Sequence, residues 1–180
     1  MQKTLSISGM NLGSKMIISH KHKLIYFKAK KVAGTSTEIL LSDLVDDSDI
    51  VTKITKCDSS THKPRNYKGF HNHSSPKYIK NQIGEYKFSC YYKFINIRNP
   101  FDRMVSFYWW CMSGSVAKKS FKDFVLSSNI NDLAPFYNWI FIDNKCIIDS
   151  LIRYENLEED TKRIFGKWFD VNSIVYPRAK

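Results

Sequence analysis

No stretch of these 180 residues approaches the ~20 consecutive apolar residues that a membrane helix needs. The amino-terminal MQKTLSISGMNLGSKMIISHK also lacks the apolar core of a secretory signal, so a soluble cytoplasmic protein is expected. Cysteine is sparse: Cys57, Cys90, Cys111 and Cys146 are widely spaced, with no Cys-x-x-Cys pair. That excludes a disulfide-stapled module and reads as four mostly buried thiols in a reducing compartment. Acidic residues are outnumbered, 17 against 28 lysines and arginines, for a net charge of +11. A basic surface attracts polyanions, without choosing among nucleic acid, anionic glycans, nucleotide phosphates and anionic membranes.

Internal repeats and low-complexity tracts are absent too, and what remains is a folded chain, 43% hydrophobic and 14% aromatic. Its length suits one domain, residues 1–180, with 1–19 read as a strand or a loosely ordered arm. Ser75 and Pro76 announce a short helix to Ile83, ended by Gly84. Lys93 to Ile97 reads as a core strand running into Arg98-Asn99-Pro100 and a helix from Phe101 to Met112. In that helix Phe101, Met104, Val105 and Tyr108 recur at helical spacing and are expected to face the core. A further helix is expected at Phe121 to Ser127, a strand within Cys146 to Tyr154, and a last helix from Leu157 to Phe169. Phe136 to Ile142 is helix or strand. Strands alternating with helices imply an α/β domain with a mostly parallel central sheet flanked by helices.

The most informative stretch is Lys23 to Glu38, KLIYFKAKKVAGTSTE: a strand, a tight loop and a helix start. Such a junction favours an anion, because the first helical amides have no intrahelical partner and the helix dipole is positive there. Lys30 and Lys31 add charge at the mouth of the loop, and Thr35, Ser36 and Thr37 add hydroxyls. It is not a Walker A loop, in which the lysine follows the glycines; here both lysines precede Gly34. Arg98 opens a second basic junction of the same kind, and two such junctions suit a nucleotide phosphorylated at two ends.

Lys31-Val32-Ala33-Gly34-Thr35-Ser36-Thr37-Glu38 resembles the 5′-phosphosulfate loop of sulfotransferases, and Arg98 to Tyr108 resembles their 3′-phosphate motif. Arg153-Tyr154-Glu155-Asn156-Leu157 is similar to a segment common in carbohydrate sulfotransferases. The resemblance implies a fold akin to P-loop kinases and 3′-phosphoadenosine-5′-phosphosulfate as donor, with adenosine 3′,5′-bisphosphate as product. It implies Lys31 at the leaving phosphate and Ala33, Gly34, Thr35, Ser36 and Thr37 around the 5′-phosphate. Arg98 and Ser106 then hold the 3′-phosphate, while Arg103 is balanced between that role and a structural one. Lys30 departs from the family pattern, standing where many relatives have proline, and the chain stops at Lys180 where these enzymes usually continue.

The acceptor hydroxyl needs a base. His71 and His73 are the candidates, since imidazole titrates near neutrality, and His-x-His after a Gly-Phe turn resembles a catalytic element of uronosyl 2-O-sulfotransferases. The expected base is His71. A metal site built from His20, His22, His71 and His73 has no carboxylate or cysteine at useful local spacing, and no metal is expected. The expected acceptor is a carbohydrate hydroxyl, on a glycan already anionic if the surplus lysines bind it; nucleic acid is not the expected partner. The alternatives are a nucleotide or polyol kinase of related fold and a non-catalytic basic module for nucleic acid or anionic glycan.

Overall fold

The computed structural model describes residues 16–53, 62–70, 75–115, 118–127 and 133–177. Strand β1 (Met16–Ser19) and strand β2 (Leu24–Phe27) are buried at every position. Consecutive burial means that both faces of the sheet are covered, and alternation then separates two apolar layers. Ile17, Leu24, Tyr26 and Phe94 point to one layer, and Ile18, Ile25, Phe27 and Ile95 to the other.

The central sheet has the order β3-β1-β2-β4-β7. Here β3 is Ile50–Val51, β4 is Tyr92–Ile97 and β7 is Ser150–Arg153. β2, β4 and β7 run parallel to one another, but β1 is antiparallel to both β2 and β3. The sheet is therefore mixed, with two parallel and two antiparallel pairings. The four residues His20 to Lys23 between β1 and β2 are too few for the crossover that a parallel pair requires, so the chain must turn back on itself. For residues 16–19 the strand alternative holds, since β1 lies inside the sheet. A two-stranded ribbon, β5 (Phe141–Ile142) with β6 (Lys145–Cys146), follows a short helix.

Helix α1 (Gly34–Leu44) and helix α7 (Leu157–Phe165) cover the first layer with Leu40, Leu41, Ile164 and Phe165. Helices α2 (Pro76–Ile83) and α3 (Glu85–Cys90) cover the second with Ile79 and Phe88. The Ser75 side chain caps α2 by accepting from the Tyr78 amide. Gly84, at φ 85°, joins α2 to α3 in a conformation that a side chain resists.

Helix α4 (Pro100–Ser113) turns a different face inward from the one expected. Arg103, Phe107 and Met112 are buried, whereas Phe101 is 79% exposed and Val105 and Trp109 are exposed as well. Phe107 and Met112 pack with Phe124 of helix α5 (Phe121–Val125) and with Leu133, while Met104 and Tyr108 lie at the edge of that cluster. An arginine at the centre of the buried face hid the true stripe. Helix α6 (Tyr137–Ile140) runs directly into β5, so the ambiguous segment is helix and then strand.

The thiols are less buried than expected: Cys90 and Cys146 are exposed and Cys111 is half-buried, while Cys57 lies outside the described residues. Among the described residues, no helix is long and apolar enough to cross a membrane.

Candidate active site

Three strand ends meet on one edge of the sheet. Phe27 of β2 pairs with Ile95 of β4, and Ile97 of β4 pairs with Arg153 of β7. The segments that follow, 28–33, 98–99 and 154–156, therefore emerge side by side at the carboxyl ends of parallel strands. From β2 the chain runs through α1 towards β3, and from β4 it runs the other way towards β7. The crevice between β2 and β4 is a topological switch point, where open α/β sheets bind ligands.

The first segment is held from behind. Lys31 and Ala33 both have positive φ, 64° and 58°, a left-handed backbone that costs roughly 1–3 kcal/mol per residue and persists only where the surroundings enforce it. They do so through side chains from four places in the chain. Arg103 Nε donates to the Lys30 carbonyl (3.0 Å), Asn96 Nδ2 to Val32 (3.2 Å), and the Tyr176 and Tyr26 hydroxyls to Ala33 and Gly34 (3.3 Å each). These four carbonyls are thereby occupied by protein donors. Helix α1 then starts at Gly34 with no side-chain cap and no acidic residue in its first turn. Ser36 and Thr37 return their amides to the Ala33 carbonyl, so the amides of Gly34 and Thr35 precede the first helical bond.

Buried polar groups support this loop. Lys28 Nζ donates to Glu38 Oε2 (2.8 Å) and to Thr35 Oγ1 (3.0 Å). A Cβ on Gly34 would lie 2.6 Å from Lys28 Cγ and 3.0 Å from the Tyr26 hydroxyl, so the backbone needs glycine at that point. Thr37, expected among the anion donors, is fully buried. Its hydroxyl accepts from Asn96 Nδ2 (2.8 Å) and pairs with the Tyr176 hydroxyl (2.7 Å), which ties it into the scaffold. Burial raises the Tyr176 phenol to about 12, so it remains a neutral donor.

Arg98 stands at the end of β4, half-buried, with its guanidinium carbon 3.9 Å from the centre of the Tyr154 ring. Its Nε is buried without a hydrogen-bond partner among the described residues. Buried donors are ordinarily satisfied, so an orphan on a cation at a strand end is what an absent anion would complete. Asn99 caps α4 by accepting from the Phe101 amide, and its own amide donates to Glu155 Oε1 (2.8 Å), which joins the second and third segments. Asp160 accepts from the Arg153 amide, Nε and Nη2 at 2.8–3.0 Å and so fixes the turn that carries Tyr154.

Ser106 is half-buried on α4, and the Lys31 ammonium lies 5.7 Å from the Trp110 ring centre. A cleft of about 580 Å3 opens beside the loop, lined among others by Ala33, Ser36, Tyr154, Asn156 and Tyr176. An uncapped helix start, a tied-back loop and an Arg98 Nε without a partner among the described residues suit acceptor-only anionic groups.

His71 and His73 lie outside the described residues. Of the other histidine pair, His20 Nδ1 is bonded to the Tyr91 hydroxyl (2.7 Å) and His22 packs edge-on against Phe169. Among the described residues, no three potential metal ligands cluster. Sequence reasoning gave no supporting role to Tyr26, Lys28, Glu38, Asn96 or Tyr176, although the first three lie within the Lys23 to Glu38 stretch. Arg103, lying within the second motif, is a structural clamp through its contacts with Lys30 and Ala134.

The family model described as the sulfotransferase family matches residues 14–179. An uncharacterized protein of Archaeoglobus fulgidus is 35% identical over 92 residues, which is 49% of this chain and 77% of that protein. No solved structure matches the chain significantly.

Proposed function

Because the chain belongs to the sulfotransferase family, we propose that it transfers a sulfuryl group from 3′-phosphoadenosine-5′-phosphosulfate to a carbohydrate hydroxyl by in-line displacement. The donor contributes a sulfuryl group activated by its bond to a phosphate. As the acceptor oxygen bonds to sulfur, the bond from sulfur to the phosphate oxygen breaks, and negative charge builds on that oxygen. Lys31 and the amides of Gly34 and Thr35 oppose this charge, and oriented donors are most effective where charge develops. Ser36 adds its hydroxyl from the wall of the cleft. Arg98 and Ser106 hold the 3′-phosphate, and His71, with His73 beside it in sequence, takes the hydroxyl proton.

The observation that carries this reading is the position of Arg98. Its unsatisfied Nε sits at the end of the strand adjacent to the lysine loop, which favours a nucleotide with phosphate at two ends. A kinase of related fold would need a lysine after the loop glycine, where this chain has Thr35 and Ser36.

Thermal shift with adenosine 3′,5′-bisphosphate against ADP and ATP tests the donor, on the wild type and on Arg98→Ala. The bisphosphate is expected to stabilise the wild type most, and Arg98→Ala is expected to remove that preference. Equal stabilisation by ADP would overturn the donor assignment. His71→Ala is expected to abolish transfer with donor affinity kept, and unchanged turnover would exclude His71 as the base.

A further inference from the structure

Lys28 directly follows β2, ahead of the lysine pair, and its ammonium bonds to residues of α1. Its side chain is 10% exposed and that of its partner Glu38 is fully buried. Glu38 is held in turn by the Thr52 hydroxyl, which donates to Oε1 (3.3 Å). An ammonium group only donates, so the 3.0 Å contact with Thr35 makes Thr35 Oγ1 the acceptor. The single hydroxyl proton of Thr35 is then left to point away from Lys28. Thr35 is half-buried at the start of α1, beside the amides that precede the first helical bond.

We infer that Lys28, anchored by Glu38, is a positioning residue that fixes the Thr35 hydroxyl as an outward donor to the phosphate bound at the loop. It acts through Thr35 and does not touch the ligand. Ionised phosphate oxygens accept hydrogen bonds, so a hydroxyl locked as donor gains a charge-assisted bond without reorganising. Glu38 neutralises Lys28, which makes its contribution orientation more than net charge. The inference rests on the proposed use of the loop as a phosphate site.

The test is a double-mutant cycle read by calorimetric affinity for adenosine 3′,5′-bisphosphate and, separately, for inorganic pyrophosphate. Lys28→Met is combined with Glu38→Gln, so that no unpaired charge is buried, and is crossed with Thr35→Val; melting temperatures are recorded for each protein. Lys28→Met/Glu38→Gln and Thr35→Val are each expected to weaken binding about tenfold, the size of a lost bond to a charged group. The triple variant should be no weaker than Thr35→Val. Thr35→Ser should retain both the affinity and the sensitivity to Lys28, which general loosening of the fold would not produce. If the losses multiply in the triple variant, Lys28 acts independently of Thr35 and the inference is overturned. Binding of pyrophosphate but not of the bisphosphate refutes the donor assignment alone, because the cycle can be completed with pyrophosphate. Binding of neither ligand by the wild type overturns the inference as well.

Discussion

Arg103 Nε donates to the carbonyl of Lys30 at 3.0 Å, across 73 positions of sequence, while its Nη2 holds the carbonyl of Ala134 at 3.1 Å. The guanidinium is buried over the Phe136 ring, and burial lowers it to about 10, so it stays charged at neutral pH. The arginine of the second motif therefore braces the loop of the first.

Arg103→Leu should remove a donor from each of two carbonyls and destabilise the protein by about 2 kcal/mol, lowering the melting temperature by roughly 4–8 °C at this chain length. Arg103→Lys should recover little, because one ammonium cannot reproduce a fork that spans two carbonyls. Chemical denaturation of both variants measures this. Full stability in the lysine variant would contradict the bracing role.

Gly34→Ala places a methyl group against Lys28, whose stem is held by the ion pair with Glu38 and cannot swing aside. The expected loss of stability is roughly 1–3 kcal/mol, typical of overpacking. Donor affinity should fall further than stability alone explains, since the loop backbone must shift. Equilibrium unfolding and calorimetry on the same variant separate the two effects.

Tyr154 faces the Arg98 guanidinium at 3.9 Å. Tyr154→Phe should keep this contact and most of the donor affinity, whereas Tyr154→Ala should weaken binding of adenosine 3′,5′-bisphosphate by about 3–30-fold, a partly desolvated cation–π contact. Matching losses in the two variants would assign the effect to the phenol hydroxyl instead of the ring.

Acid stability should depend on Asp160. Hydrogen bonds from the Arg153 guanidinium, aided by the Arg153 amide and by Arg163, hold its carboxyl well below the usual value of 3.8. A carboxylate depressed in the folded state contributes stability above its unfolded value and loses it as pH falls through the folded one. Asp160→Asn should therefore be less stable at pH 7 and show a flatter decline below about pH 4. Urea unfolding from pH 7 to pH 3 reads both slopes, and parallel curves would count against the assignment.

Local signals were legible because they act over a few residues. The Ser75 cap, Pro76 and Gly84 delimit α2 where the sequence reading put it, and the unit that begins at Leu24 and runs into α1 matches its pattern of apolar run, small-residue loop and helix start. The face of α4 was misread because hydrophobic periodicity treats Arg103 as a surface residue, although hydrogen bonds to two carbonyls and the Phe136 ring make its burial favourable. The choice between strand and arm at residues 16–19 stayed open in the sequence because MIIS is only four residues long and gains its stability from neighbours on both sides.

By itself the sequence determined the order of the chemistry: lysine before glycine, then arginine, then the Arg-Tyr-Glu segment, each at a strand end. Tertiary structure alone decided how the loop is held in its left-handed conformation. Its carbonyls are bound by Asn96, Arg103 and Tyr176, which lie 64, 73 and 143 positions from their acceptors. Neighbouring residues specify a turn through their own backbone preferences. A donor that distant is brought into place only by the packing of the sheet and helices between them.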